Sequence, residues 1–192
     1  MRKLLVAALL AAGVATPALA QQDSGFVGPR VEGVVGWDRP KSGGERSDGV
    51  GYGIGVGYDV QAGDAVVGVE AEASRSTAKD CVRDVTVVGD RLCVKAKRDL
   101  YAGARVGAAV TPKTLLYAKA GYTNGRVGVD YEDGGSGAGD TSQGSNLDGV
   151  RVGGGVEHAI GGKSYLKTEY RYSNYENGVS RHQVMGGVGI RF

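Results

Sequence analysis

Residues 181–192 alternate without a break. His182, Val184, Gly186, Val188, Ile190 and Phe192 fall on one face of an extended chain. Arg181, Gln183, Met185, Gly187, Gly189 and Arg191 fall on the other. Side chains point to opposite sides of a strand at each step, so a strict period of two means that the two faces meet different surroundings. Here one face is apolar and the other is polar or small.

Seven earlier segments repeat the pattern. Residues 27–38 set Val31, Val35 and Trp37 against Arg30 and Glu32. Residues 48–60 set Val50, Tyr52, Ile54, Val56, Tyr58 and Val60 against five glycines from Gly49 to Gly57. Residues 65–75 set Val67, Val69, Ala71 and Ala73 against Glu70 and Glu72. Residues 98–110 set Leu100, Ala102, Ala104, Val106 and Ala108 against Asp99, Tyr101 and Arg105. Residues 147–159 set Val150, Val152 and Val156 against Arg151 and Glu157, and residues 164–175 set Leu166, Tyr170 and Tyr172 against Lys167, Glu169 and Arg171. The segment 115–131 begins with Leu116, Ala118, Ala120 and Tyr122 opposite Lys119. It continues with Val127, Val129 and Tyr131 opposite Arg126 and Asp130. If the apolar residues keep to one face, that segment changes parity, and a bulge near Asn124 and Gly125 is expected.

The N-terminus reads as a secretory leader. Arg2 and Lys3 precede an apolar run of about 12 residues, and Ala18-Leu19-Ala20 offers a small-x-small cleavage site. The run is too short for a membrane helix, which needs about 20 residues. The expected division is therefore a leader at 1–20 and one domain at 21–192. Loss of Arg2 and Lys3 lowers the basic count from 23 to 21, against 21 acidic residues. That balance gives no electrostatic case for nucleic acid.

No later segment is long and apolar enough for a spanning helix. A chain that spans lipid without helices must close its strands into a barrel, the other fold that satisfies each backbone polar group there. The connectors fit. Residues 61–64, 111–114 and 160–163 are short, whereas 39–47, 76–97, 132–146 and 176–180 are longer and more polar. Short turns at one end and long loops at the other mark an outer-membrane barrel. A soluble barrel would turn its charges outward and its apolar face inward. Here one face is almost free of charge across eight strands, and five successive glycines would make a poor dry core. The fold expected is all-β: an eight-stranded, antiparallel, up-and-down transmembrane β-barrel.

Residues 98–103 (Arg-Asp-Leu-Tyr-Ala-Gly), residues 116–122 (Leu-Tyr-Ala-Lys-Ala-Gly-Tyr), residues 169–172 (Glu-Tyr-Arg-Tyr) and the closing strand resemble the small eight-stranded outer-membrane barrels of the opacity type. These are similar to the membrane half of the OmpA type. The resemblance implies a Gram-negative outer membrane, with both termini in the periplasm. It further implies roles in envelope integrity, surface antigenicity, adhesion or weak permeability. It also implies that the barrel-assembly machinery reads the closing strand and its terminal Phe192. The chain stops at Phe192, so the peptidoglycan-binding domain of the full OmpA type is not expected.

The inward set expected is Arg30, Glu32, Glu70, Glu72, Asp99, Arg105, Lys119, Arg126, Asp130, Arg151, Glu157, Lys167, Glu169, Arg171 and Arg191. Charges inside so narrow a barrel must be paired or hydrated. Near-equal numbers of each sign favour a charge-paired, closed interior over a small-solute channel, which remains the alternative. Cys81 and Cys93, twelve residues apart in an exported chain, read as one disulfide stapling the loop 76–97. Two thiols without a nearby histidine make a poor metal site. The same loop carries Lys79, Arg83, Arg91, Lys95 and Lys97. It is the expected contact for lipopolysaccharide phosphates, or for a host or surface ligand.

No cofactor is expected. Gly51-x-Gly53 and Gly53-x-Gly55 lack the third glycine and the following helix of a nucleotide loop. A lipid hydrolase needs a nucleophile and a base in register. Ser180, His182 and Glu176 sketch one, but so short a coincidence is common. His158, the other histidine, belongs to the opposite end. A non-catalytic monomer embedded in outer-membrane lipid is the expectation.

Overall fold

A computed structural model describes residues 25–83, 91–132 and 141–192. Ten strands run in chain order: β1 (Gly28–Ser42), β2 (Glu45–Arg46), β3 (Gly49–Ala62), β4 (Ala65–Ser76), β5 (Lys79–Arg83), β6 (Arg91–Thr111), β7 (Thr114–Glu132), β8 (Thr141–Gly161), β9 (Ser164–Tyr175) and β10 (Ser180–Arg191). Eight of them form a ring. β1 pairs antiparallel with β3 on one side and with β10 on the other, so that Arg30 faces both Gly57 and Arg191. β2 and β5 are short extensions that pair with β1 and β6 above one rim. The ring leaves no edge with unpaired backbone.

The two ends differ as the connector lengths predict. At one end β3 passes to β4, β6 to β7 and β8 to β9 through tight turns. Gly63 (φ 62°) and Gly162 (φ 54°) take the left-handed backbone that two of these turns need. At the other end the strands outrun the alternating segments. β6 begins at Arg91 and pairs with β7 as far as Glu132, and β7 pairs with β8 from Thr141 onward. Much of the polar sequence read as loops 76–97 and 132–146 is thus strand, standing above the apolar belt where water tolerates polar side chains on both faces. Val85 to Val88 and the glycine-rich 134–139, like the leader, lie outside the described residues.

The parity change lies elsewhere than expected. β7 and β8 pair without a break from Thr114↔His158 to Tyr131↔Thr141, so nothing bulges at Asn124 or Gly125. The extra residue sits in β6. The step from Ala96 to Asp99 spans three residues against two from Val127 to Gly125. Val127 keeps the inward parity of Lys119. Above the membrane belt an apolar side chain has no reason to seek the outer face, so hydrophobicity there misreports direction.

The barrel is inside out relative to a soluble one. Val31, Tyr52, Ile54, Val69, Val150 and Phe192 are among the exposed apolar residues, while Arg30, Arg151, Arg171, Glu157 and Glu169 are fully buried within. The one apolar cluster of the described interior, Phe26 with Val66 and Leu115, closes the short-turn end.

Candidate functional site

The interior is a stack of ion pairs three tiers deep. Nearest the short turns, Asp59 accepts hydrogen bonds from Arg105 (2.6 Å), Arg191 (2.8 Å) and Arg30 (3.1 Å). Arg105 and Arg191 also converge on Glu157. Arg191 reaches one step further, donating to the Phe26 carbonyl at 2.6 Å, and so ties the closing strand to the apolar cluster below.

The middle tier is built from β1, β4, β7 and β9. Glu32 accepts from Arg30 (2.9 Å), Tyr165 Oη (2.8 Å) and Lys167. Glu70 pairs with Arg30 and with Lys119 at 2.6 Å. Glu169 is met by Lys119 (2.9 Å), by Arg171 and by Tyr117 Oη (2.6 Å), with Lys167 at 3.4 Å. In the upper tier Arg171 clamps Glu72 through both terminal nitrogens at 2.6 Å. Asp99 accepts from Thr123 (2.6 Å), Tyr175 Oη (2.7 Å), Arg181 (2.7 Å) and Arg151. Arg181 also holds Asp38 with two bonds of 2.6 and 2.7 Å.

The outcome is neutral. Among the described buried side chains, six Arg and two Lys meet five Glu and three Asp. A buried carboxylate is tolerable where several charge-assisted donors replace its water, and each of these eight has at least two. The inward glycines make the room. A Cβ on Gly57 would lie 2.7 Å from the Arg30 guanidinium, and one on Gly189 would lie 2.2 Å from the Tyr165 ring.

The outer wall carries aromatic side chains at two heights. Trp37, Tyr52, Tyr122 and Tyr170 are exposed towards the long-loop end, and Tyr58 and Phe192 towards the short-turn end. Charges within, an apolar wall without and two aromatic girdles are the arrangement of a transmembrane β-barrel. The model for the outer membrane protein beta-barrel domain matches residues 6–192. The chain belongs to that family. Its place is accordingly the bacterial outer membrane.

Solved structures of the same fold agree. Neisserial surface protein A is similar at 20% identity and TM-score 0.59, over 85% of this chain and 97% of that one. Ail, the attachment invasion locus protein of Yersinia pestis, solved in complex with the heparin analogue sucrose octasulfate, is similar at 15% identity and TM-score 0.57, over 86% of this chain and 99% of that one. No curated protein matches the sequence.

The long-loop end carries a covalent staple. Cys81 and Cys93 are directly opposed in the β5–β6 hairpin and bonded to each other. Nearby, Asp48 accepts from Arg39 (2.7 Å) and from Trp37 Nε1 (3.0 Å). The Arg39 hydrogen bond holds the Asp48 carboxyl below the ordinary aspartate range.

Of the charges expected inside, Arg126 lies exposed on the outer wall, because β7 never changes parity. Asp130 has no described side chain. The others converge in the stack. Asp38, Asp59 and Arg181 belong to the stack but escaped the inward set, although the alternation of β1, β3 and β10 places all three on the inward face. Tyr117, Tyr165 and Tyr175 are a further omission: their hydroxyls donate to Glu169, Glu32 and Asp99. His158 bonds Thr114 near a short turn, and His182 bonds Tyr170 Oη at 2.7 Å near the other end. Tyr172 packs on the His182 ring, with centroids 4.9 Å apart.

Proposed function

We propose that this protein is a non-catalytic barrel of the outer membrane that supports the envelope and presents a rigid loop surface outward, with a charge-paired, closed interior. One observation carries the reading. Arg151, Arg171, Glu157, Gln183 and Met185 have no surface exposed to water, although they come from three strands and span the tiers of the lumen. A pore lining is wetted, whereas each of these side chains is fully buried among its neighbours. The described buried charges as a whole balance, eight of each sign, so the lumen offers no sign preference to an ion.

In the orientation proposed, the short turns and both termini face the periplasm and the long loops face the outside. The segment 1–20 is a leader removed on export, and Phe192, exposed beside the β1–β10 seam, is the feature read by the assembly machinery. The disulfide-bonded hairpin is the surface offered to partners. A surface ligand is in keeping with the similar fold of Ail and its sulfated ligand.

The test is conductance. Residues 21–192, refolded and reconstituted in a planar bilayer, are expected to give no stepwise conductance in molar salt. Regular single-channel steps would overturn the closed reading in favour of a small-solute channel.

A further inference from the structure

On the outer wall, hydrogen-bonded rows run straight across neighbouring strands. One row is apolar: Leu166, Val188, Gly33, Ile54, Ala73 and Leu100 are successive partners from β9 through β10, β1, β3 and β4 to β6. They line a groove of about 780 Å³. The groove is low at Gly33, where an added Cβ would meet nothing within 4 Å.

The next row towards the long loops changes character. It runs Gly186, Val35, Tyr52, Arg75, Arg98. Tyr52, Arg75 and Arg98 line the apolar groove and also a second one of about 550 Å³ above it, in which Lys79, Lys95, Lys97 and Arg126 join them. That makes six cations around the upper groove, and among the described residues no carboxylate lines it.

The β6 bulge assembles this cluster. Its extra residue leaves Lys97 and Arg98 both exposed. The Lys97 stem crosses Gly128, where a Cβ would lie 2.1 Å from Cε. A regular β6 would have turned one of the two into the lumen.

We infer that the outer wall between β1 and β7 holds a phosphorylated lipid of the outer leaflet, with its phosphates on the Arg75–Arg98–Arg126 cluster and an acyl chain in the Gly33 groove. The two grooves share a border at the height where lipid headgroups meet acyl chains. A soluble polyanion has no use for the lower groove, and a zwitterionic phospholipid has little use for a groove edged by Arg75, Arg98 and Arg126. Basic pockets on membrane proteins select anionic headgroups on the same grounds. The inference rests on the orientation proposed above, with the long loops outward.

The experiment uses residues 21–192 folded in phosphatidylcholine nanodiscs doped with bisphosphorylated lipid A or with the same lipid stripped of phosphate, and reads retained lipid by native mass spectrometry. The intact lipid is expected to be retained preferentially. Arg75→Gln with Arg98→Gln should weaken retention roughly 30-fold, from ~1 kcal/mol for each cation at a membrane surface. Gly33→Leu should weaken it too, while both variants keep the gel shift on boiling that marks a folded barrel. Equal retention of the two lipids, an unchanged double variant, or displacement by sucrose octasulfate with no preference between the lipids would each overturn the inference and leave the barrel reading standing. A wild-type chain with no heat-dependent shift in any bilayer or detergent would overturn the orientation and the barrel together.

Discussion

At the scale of single residues, the interior tests how much one charge matters when its neighbours cannot reach water. Glu169 is contacted by Lys119, Lys167, Arg171 and Tyr117. Glu169→Gln keeps the shape and removes the charge, which leaves three cations crowded around an amide. Breaking a buried ion set by removing one member costs about 3–5 kcal/mol. Tyr117→Phe deletes one donor and leaves the three cations in place, so about 1 kcal/mol is expected. Urea unfolding from lipid vesicles should rank wild type, Tyr117→Phe and Glu169→Gln in falling order. Equal stability for the two variants would mean that water enters and compensates the lost charge.

At the scale of elements, alternation made eight strands and their inward faces legible from sequence. Arg30, Glu70, Arg105, Arg151 and Arg171 were all placed by counting in twos. Strand ends are less legible. Asp38 and Asp59 stand near the ends of the alternating segments 27–38 and 48–60, where the inward parity holds but the inward set stops short of them. Val127 was assigned to the wrong face because apolar character reports direction only at the depth of lipid. The β6 bulge has no local signature in Lys97-Arg98, since either residue is ordinary in a strand; only pairing with β7 reveals it. Glycines carry a similar ambiguity, as sequence does not say whether a strand glycine makes room or merely leaves a gap. Gly189 lies beneath the Tyr165 ring, 2.2 Å from where a Cβ would stand, whereas Gly33 opens onto empty space. Gly189→Ala is expected to cost about 1–3 kcal/mol as overpacking, and Gly33→Ala to stay within about 0.5 kcal/mol of wild type. The same unfolding assay decides, and an unperturbed Gly189→Ala would show that Tyr165 can leave Glu32 at little expense.

At the scale of the whole molecule, the barrel places its charges where a soluble protein keeps its core, and that arrangement decides how solution conditions act on it. Mobile ions weaken a charge pair only where they can approach it, and at 0.15 M their screening length is about 8 Å. The described interior holds eight charges of each sign, most with almost no exposed surface, and Phe26, Val66 and Leu115 close the short-turn end. A closed interior of this kind is out of reach of added salt, so stability in zwitterionic lipid should change by less than about 0.5 kcal/mol between 0.05 and 1 M sodium chloride. A lumen open to water would behave differently. Ions would enter, the pairs from Asp59 to Asp38 would be screened together, and the unfolding midpoint would fall steadily with salt. The outer cation cluster supplies an internal contrast, because its grip on phosphate lies at the surface and should weaken over the same range. A barrel whose stability ignores salt while its lipid retention declines would separate the two sets of charges in one preparation. A parallel decline of both would mean that the interior is hydrated, and the closed reading would yield to the channel.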